Sequence, residues 1–140
     1  MVNPAEDRLK ELLSQYKTIA VVGLSPKEDR PSYKVAKYLQ GKGYRIIPVN
    51  PTVQEVLGEQ AYPMLIDIPI KVDIVDIFRK SEDVPPIAEQ AISIGAKVLW
   101  QQEGVASAAA EDISTKAGLI VITDYCIKVA HQKLFGCKIE

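Results

Sequence analysis

The chain has little cysteine, little histidine and almost no net charge, and each scarcity excludes a class of protein. Two cysteines among 140 residues, Cys126 and Cys137, make neither a disulfide framework nor a zinc-finger spacing. A reducing, cytoplasmic setting is therefore expected. The formal net charge is −1, so no general attraction to nucleic acid or to an acidic membrane follows, and any anion site has to be built locally. The apolar runs are of strand length, far below the ~18 residues of a membrane span. Met1-Val2-Asn3-Pro4-Ala5-Glu6-Asp7 also lacks the basic-then-apolar order of a secretory leader.

Two nucleotide motifs are missing as well. Of the three glycines in the dinucleotide fingerprint G-x-G-x-x-G only Gly23 is present, and G-x-x-x-x-G-K-[ST] occurs nowhere. An NAD site also places an acid at the end of the second strand. The residues there are Val49-Asn50-Pro51.

What is present alternates regularly. Asn3, Pro4 and Glu6 read as a helix start, and Leu9, Leu12, Leu13 and Tyr16 form an apolar stripe at helical spacing. A strand is expected from about Thr18 to Leu24, then a helix from Pro31 to Gly41 or Gly43. Further strands are expected at Tyr44–Val49, Val72–Phe78, Ala96–Trp100 and Leu119–Thr123. A helix over Ser81–Gly95 separates the third from the fourth. Another, with Val105, Ala108, Ala109, Ile113 and Ala117 inward, precedes the fifth. A last helix or loop runs from Tyr125 to Leu134.

Strands alternating with helices predict βαβ units, and strands apolar throughout predict a sheet covered on both faces. The expectation is one α/β domain over residues 1–140, a Rossmann-like three-layer α/β/α fold. Its five-stranded parallel sheet is expected in the order 3-2-1-4-5. Such sheets bind ligands beyond the carboxyl ends of their strands, at the switch point beside the first strand.

The strand ends then supply the candidates. Gly23, Leu24 and Ser25 end the first, and Arg30, Ser32, Tyr33 and Lys34 open the helix after it. Arg30 precedes a proline, which biases it out of the helical region. Its guanidinium can turn toward an anion while Ser32 and Tyr33 supply free N–H groups. A tight strand-to-helix turn accounts for Gly23 and Ser25 equally well. Three cations, Arg30, Lys34 and Arg79, at adjacent strand ends of a near-neutral protein nevertheless point to a polyanionic ligand.

At these residues the chain resembles the small stand-alone CoA-binding domains. It is similar, more distantly, to the N-terminal CoA-binding domain of the succinyl-CoA synthetase α subunit. The matching pieces are Ile19–Pro26, Arg30-Pro31-Ser32-Tyr33 with Val35-Ala36, Gly43-Tyr44 leading into Ile47–Pro51, and Val72–Asp76 with Phe78-Arg79. Ile94–Lys97, Trp100-Gln101, Gly104 and Ala117–Leu119 complete a match spanning roughly residues 10–135.

The resemblance implies that Gly23 and Ser25 line a nucleotide pocket with Arg30 and Ser32 near the phosphates. Val49, Asn50 and Pro51 would lie against adenine or ribose, Phe78 and Arg79 would close the pocket, and Gln101 and Gly104 would border the pantetheine path. Coenzyme A or acyl-CoA is the implied cofactor. The chain departs from the pattern at Tyr125, where a basic residue is expected, and at Ala130, where a glutamate is expected before His131.

No catalytic constellation emerges. His131 lies on a helical pattern with Ile127, Ala130 and Leu134 and reads as a satisfied, partly buried side chain. Asp73 and Asp76 are three apart on a strand and face opposite sides, so Asp76 reads as an anchor for a loop at the ligand end. Cys126 falls at the rim of the pocket. The reading is non-catalytic binding of CoA or acyl-CoA by a sensor, carrier or partner subunit, with a protein partner or a homodimer left open. The alternatives are a CoA-dependent ligase or transferase subunit that needs a partner chain, and an NAD(H)-binding redox sensor.

Overall fold

Alternation of apolar strands and amphipathic helices produces a parallel sheet clad on both faces. The computed structural model describes residues 3–136; Cys137 lies outside them. The elements are α1 (Glu6–Gln15), β1 (Thr18–Val22), α2 (Pro31–Gly41), β2 (Arg45–Val49), a small hairpin of β3 (Glu55–Val56) and β4 (Glu59–Gln60), and β5 (Ile74–Ile77). After them come α3 (Val84–Ser93), β6 (Val98–Gln101), α4 (Ala108–Lys116), β7 (Ile120–Ile122) and α5 (Ile127–Leu134).

Successive strand residues point to opposite faces, so the core divides in two. Ile19, Val21, Ile46, Ile74, Val98, Trp100 and Ile122 pack under α1, α2 and α5, through Leu12, Leu13, Val35, Leu39, Ile127 and Ala130. Ala20, Val22, Ile47, Val75, Ile77, Leu99 and Val121 pack under α3 and α4, through Ile87, Ala88, Ala91 and Ala110.

The three-layer α/β/α fold and the parallel five-stranded sheet are as expected, but the strand order is not. It runs β2-β1-β5-β6-β7, which is 2-1-3-4-5 when the sheet strands are counted in chain order. The third strand pairs with the first, Val22 opposite Ile77, and not with the second. Pro48 explains this. Its carbonyl accepts from Tyr62 N (3.0 Å) on the outer side of β2, the side to which its missing N–H would also point. A proline is tolerated there only on an edge strand, so β2 cannot sit between two neighbours. The chain instead crosses over the α3 face, burying Leu65, Ile68 and Val72.

Three local expectations are corrected. Asn3 does not cap α1, whose N-cap is Ala5. Its amide clamps the end of β7, donating to Thr123 O (2.9 Å) and accepting from Thr123 N (2.8 Å). The buried face of α4 is Ala110 and Ser114, while Ala108, Ala109 and Ala117 are exposed. Ser107 sets that phase by accepting from Ala110 N (3.1 Å) as the N-cap; alanines alone do not mark a face. The helix expected from Ser81 begins with a 3-10 turn, Ser81–Asp83, before α3.

Candidate functional site

In this strand order the chain leaves β1 for β2 on one side and reaches β5 on the other, so the switch point lies between the carboxyl ends of β1 and β5. Gly23 stands there at φ +87°, and a Cβ on it would collide with the carbonyl oxygen of Phe78 and approach Arg79 Cδ to 3.1 Å. The loop onward to α2 is held by polar bonds. Ser25 N donates to Ser32 Oγ (3.0 Å), Lys27 N to Ser25 Oγ (3.1 Å), and Asn50 Nδ2 to Leu24 O (2.9 Å). Arg30 is extended (φ −82°, ψ 145°) as the N-cap of α2, with Pro31 in the first turn. Ser32 and Tyr33 follow, at positions whose amides have no intrahelical acceptor.

Three depressions run along the strand ends and share walls. The first, about 220 Å³, is bounded by Gly23, Ser25, Arg30, Pro31, Ser32 and Phe78. Pro31 and Phe78 also wall the second, a cleft of about 700 Å³. Its other walls include Val35, Arg79, Lys80, Gln102, Gly104 and Val105. Glu103 and Cys126 lead from it into a third hollow of about 310 Å³, shared with Asp124, Tyr125 and Val129. Together they form one elongated trough with cations and a helix N-terminus at the β1 end.

The trough gathers Gly23, Ser25, Arg30, Ser32, Phe78, Arg79 and Gly104 from the expected set. It does not gather the rest. Lys34 is exposed on α2 and Tyr33 packs against the core. Leu24 is fully buried. Val49 walls a separate small hollow with Val22, Pro63 and Ile87. Asn50 is engaged with Leu24 and accepts from Thr52 N and Oγ1 (2.9 and 2.7 Å). Pro51 is exposed in the turn beyond it.

Gln101 is fully buried, donating to Thr123 Oγ1 (2.9 Å) and accepting from Ser107 N (2.8 Å). Its neighbour Gln102 borders the cleft and accepts from Ile127 N (2.9 Å) at the opening of α5. Nothing in two adjacent glutamines distinguishes them; the pleat of β6 does. Lys80, at the end of the third strand, and Val35, on the inward face of α2, also wall the cleft.

Asp76 is not a loop anchor. It is fully buried on β5 between Val21 and Trp100 in register, and among the described residues neither carboxylate oxygen has a hydrogen-bond partner. Burial holds its carboxyl well above the usual carboxylate range. Phe78, two residues on, continues the same face and walls the cleft. His131 is buried beneath α5, with Nδ1 2.7 Å from Tyr38 Oη and its ring stacked on Phe135. Burial, then Lys42 and Lys17, lower its pKa. Tyr125, at the first departure from the family pattern, stacks on Trp100 and accepts from Trp100 Nε1 (2.7 Å).

Residues 17–132 match the model of the CoA binding domain. The chain belongs to that family. It is related to the N-terminal CoA-binding module of ADP-forming acyl-CoA ligases. It is 47% identical over 131 residues to the uncharacterized protein YneT of Bacillus subtilis (strain 168), covering 94% of this chain and 97% of that one. It is 26% identical over 136 residues to acetate–CoA ligase [ADP-forming] I of Archaeoglobus fulgidus, covering 89% of this chain but 20% of the ligase. A solved hypothetical protein from Pyrococcus horikoshii OT3 superposes with a TM-score of 0.93 at 41% identity, covering 95% and 94% of the two chains. The CoA-binding domain is a ligand-binding unit, and CoA or acyl-CoA is the cofactor that membership assigns. The residues fit it: a polyphosphate needs the cations and helix opening at the β1 end, and a long flexible arm needs a trough.

Proposed function

We propose that the chain binds CoA or acyl-CoA along this trough, in the cytoplasm, as a non-catalytic module that presents the thiol or thioester to a separate protein chain. The observation that carries the reading is the trough itself, running from a glycine turn and helix opening at the β1–β5 switch point to the far end of β6. The diphosphate and 3′-phosphate would lie among Gly23, Ser25, Arg30, Ser32 and Arg79, which act together as a phosphate-binding loop. Pantetheine would follow the Phe78, Gln102 and Gly104 walls.

The likeness to a fifth of acetate–CoA ligase I favours work with a partner that supplies the chemistry. A free-standing sensor or carrier is the second reading, favoured by the match to YneT over nearly its full length.

The test is thermal unfolding of protein refolded from denaturant, with CoA, acetyl-CoA, NAD, NADH or ADP added. Ligand at a hundred times its dissociation constant stabilises by about 2.7 kcal/mol, roughly 8 °C here. A shift with CoA exceeding that with NAD and NADH supports the proposal. A shift with NADH alone overturns it in favour of a redox sensor. Restored thioester turnover on adding candidate partner chains then separates the subunit reading from the sensor.

A further inference from the structure

The two ends of the trough carry opposite charge, and this polarity bears on what the far end accepts. At the β1 end stand Arg30 and Arg79, with Lys80 on the adjoining wall. At the far end the walls are Glu103, Asp124, Tyr125, Cys126 and Val129, with no basic residue among them.

Asp124 is fixed in place. Its Oδ1 accepts from Gly104 N (2.7 Å) and its own N donates to Val105 O (3.2 Å). Its backbone is left-handed at φ 57°, a conformation that aspartate and asparagine tolerate better than most residues. The bond from Gly104 N holds the carboxylate at the wall of the hollow.

No basic residue walls this hollow; Arg79 and Lys80 line the adjoining cleft, which shares Glu103 and Cys126 with it, and the first amide of α5, Ile127 N, is already taken by Gln102 Oε1 (2.9 Å). The carboxylate of a dicarboxylic acyl group would meet two like charges on the walls of the hollow and no cation among them. A short uncharged acyl group would instead meet the Tyr125 ring, Val129 and the Cys126 side chain in a hollow of about 310 Å³.

We infer that the site, if it holds CoA as proposed above, takes the free thiol or thioesters of short uncharged acyl groups and rejects those of dicarboxylic acids. Glu103 and Asp124 set that selectivity.

The experiment is calorimetric titration of the refolded protein with CoA, acetyl-CoA, butyryl-CoA, malonyl-CoA and succinyl-CoA at two salt concentrations. Glu103→Gln and Asp124→Asn are titrated alongside; the asparagine keeps the acceptor for Gly104 N. Acetyl-CoA is expected to bind at least about tenfold more tightly than succinyl-CoA at low salt, with the ratio shrinking as salt rises. Each variant should move that ratio toward one, whatever it does to the affinity for CoA. Equal affinity for acetyl- and succinyl-CoA in the unaltered protein overturns the selectivity while leaving CoA binding intact. So does a preference that neither variant changes. Failure of every thioester and of CoA to bind overturns the nucleotide reading, and this inference with it.

Discussion

A Cβ on Gly23 would collide with the carbonyl oxygen of Phe78. The two residues follow the paired ends of β1 and β5, where Phe78 N donates to Val22 O (2.9 Å) and Gly23 N to Val49 O (2.9 Å). The absent side chain lets three strand ends close up at the head of the trough.

Gly23→Ala should therefore cost more than the strain of a positive φ alone, about 1–3 kcal/mol, and should also weaken CoA binding. Gly43→Ala is the control: its φ is +96° but its Cβ would meet nothing within 4 Å. Urea denaturation of both variants isolates the collision. Equal losses would mean that Phe78 yields easily.

Arg30→Ala and Arg79→Ala should each weaken CoA binding by roughly tenfold, the order of one charge-assisted hydrogen bond. Both should flatten its salt dependence. Lys34→Ala should do neither, because Lys34 lies exposed outside the trough. Titrations at three salt concentrations check this, and an unaltered salt slope in Arg30→Ala would remove that residue from the phosphate site.

Asp76→Asn should change the pH dependence of stability. Asp76 has its folded pKa raised by burial, so the folded form keeps its proton while the unfolded carboxyl ionises near pH 4. Its contribution is whole below that pH and is lost as pH rises toward the folded pKa, by up to about 1.4 kcal/mol per pH unit. Denaturation from pH 4 to 8 should show the original protein losing ground against Asp76→Asn as pH rises. A constant difference across that range would show an unshifted carboxyl.

Asn50→Ala should loosen the β1–α2 loop at a cost of about 1–2 kcal/mol. It removes the donor to Leu24 O and the acceptor for Thr52. Asn50→Asp keeps the acceptor and loses the donor, so hydrogen exchange in residues 24–27 should rise in both variants. Protection that survives in Asn50→Asp would make the Thr52 bonds the ones that matter.

Much of this was legible in advance where a local rule sufficed. Continuous apolar strands announced a sheet covered on both faces. Pro31 announced an extended Arg30 ahead of a helix, and Gly23 announced the tight turn after the first strand, though not its contact with Phe78. The strand order was not read: 3-2-1-4-5 was expected, and although Pro48 restricts β2 to an edge, it does not name the partner of the third strand. Periodicity failed for α4, where alanines lie on every side and only the Ser107 cap sets the phase. It failed again at Gln101 and Gln102, identical neighbours with different surroundings.

The sequence by itself determined the α/β alternation, the strand ends and the family, because hydrophobic period, caps and turn residues act over a few positions. Only the tertiary structure decided that the third strand joins the first. It also decided that Asn50 and Gln101 are engaged in bonds away from the trough, that Asp76 lies in the core without a partner among the described residues, and that Glu103 and Asp124 close the far end. Each of these depends on which groups meet across distant stretches of chain, and no local pattern encodes that meeting.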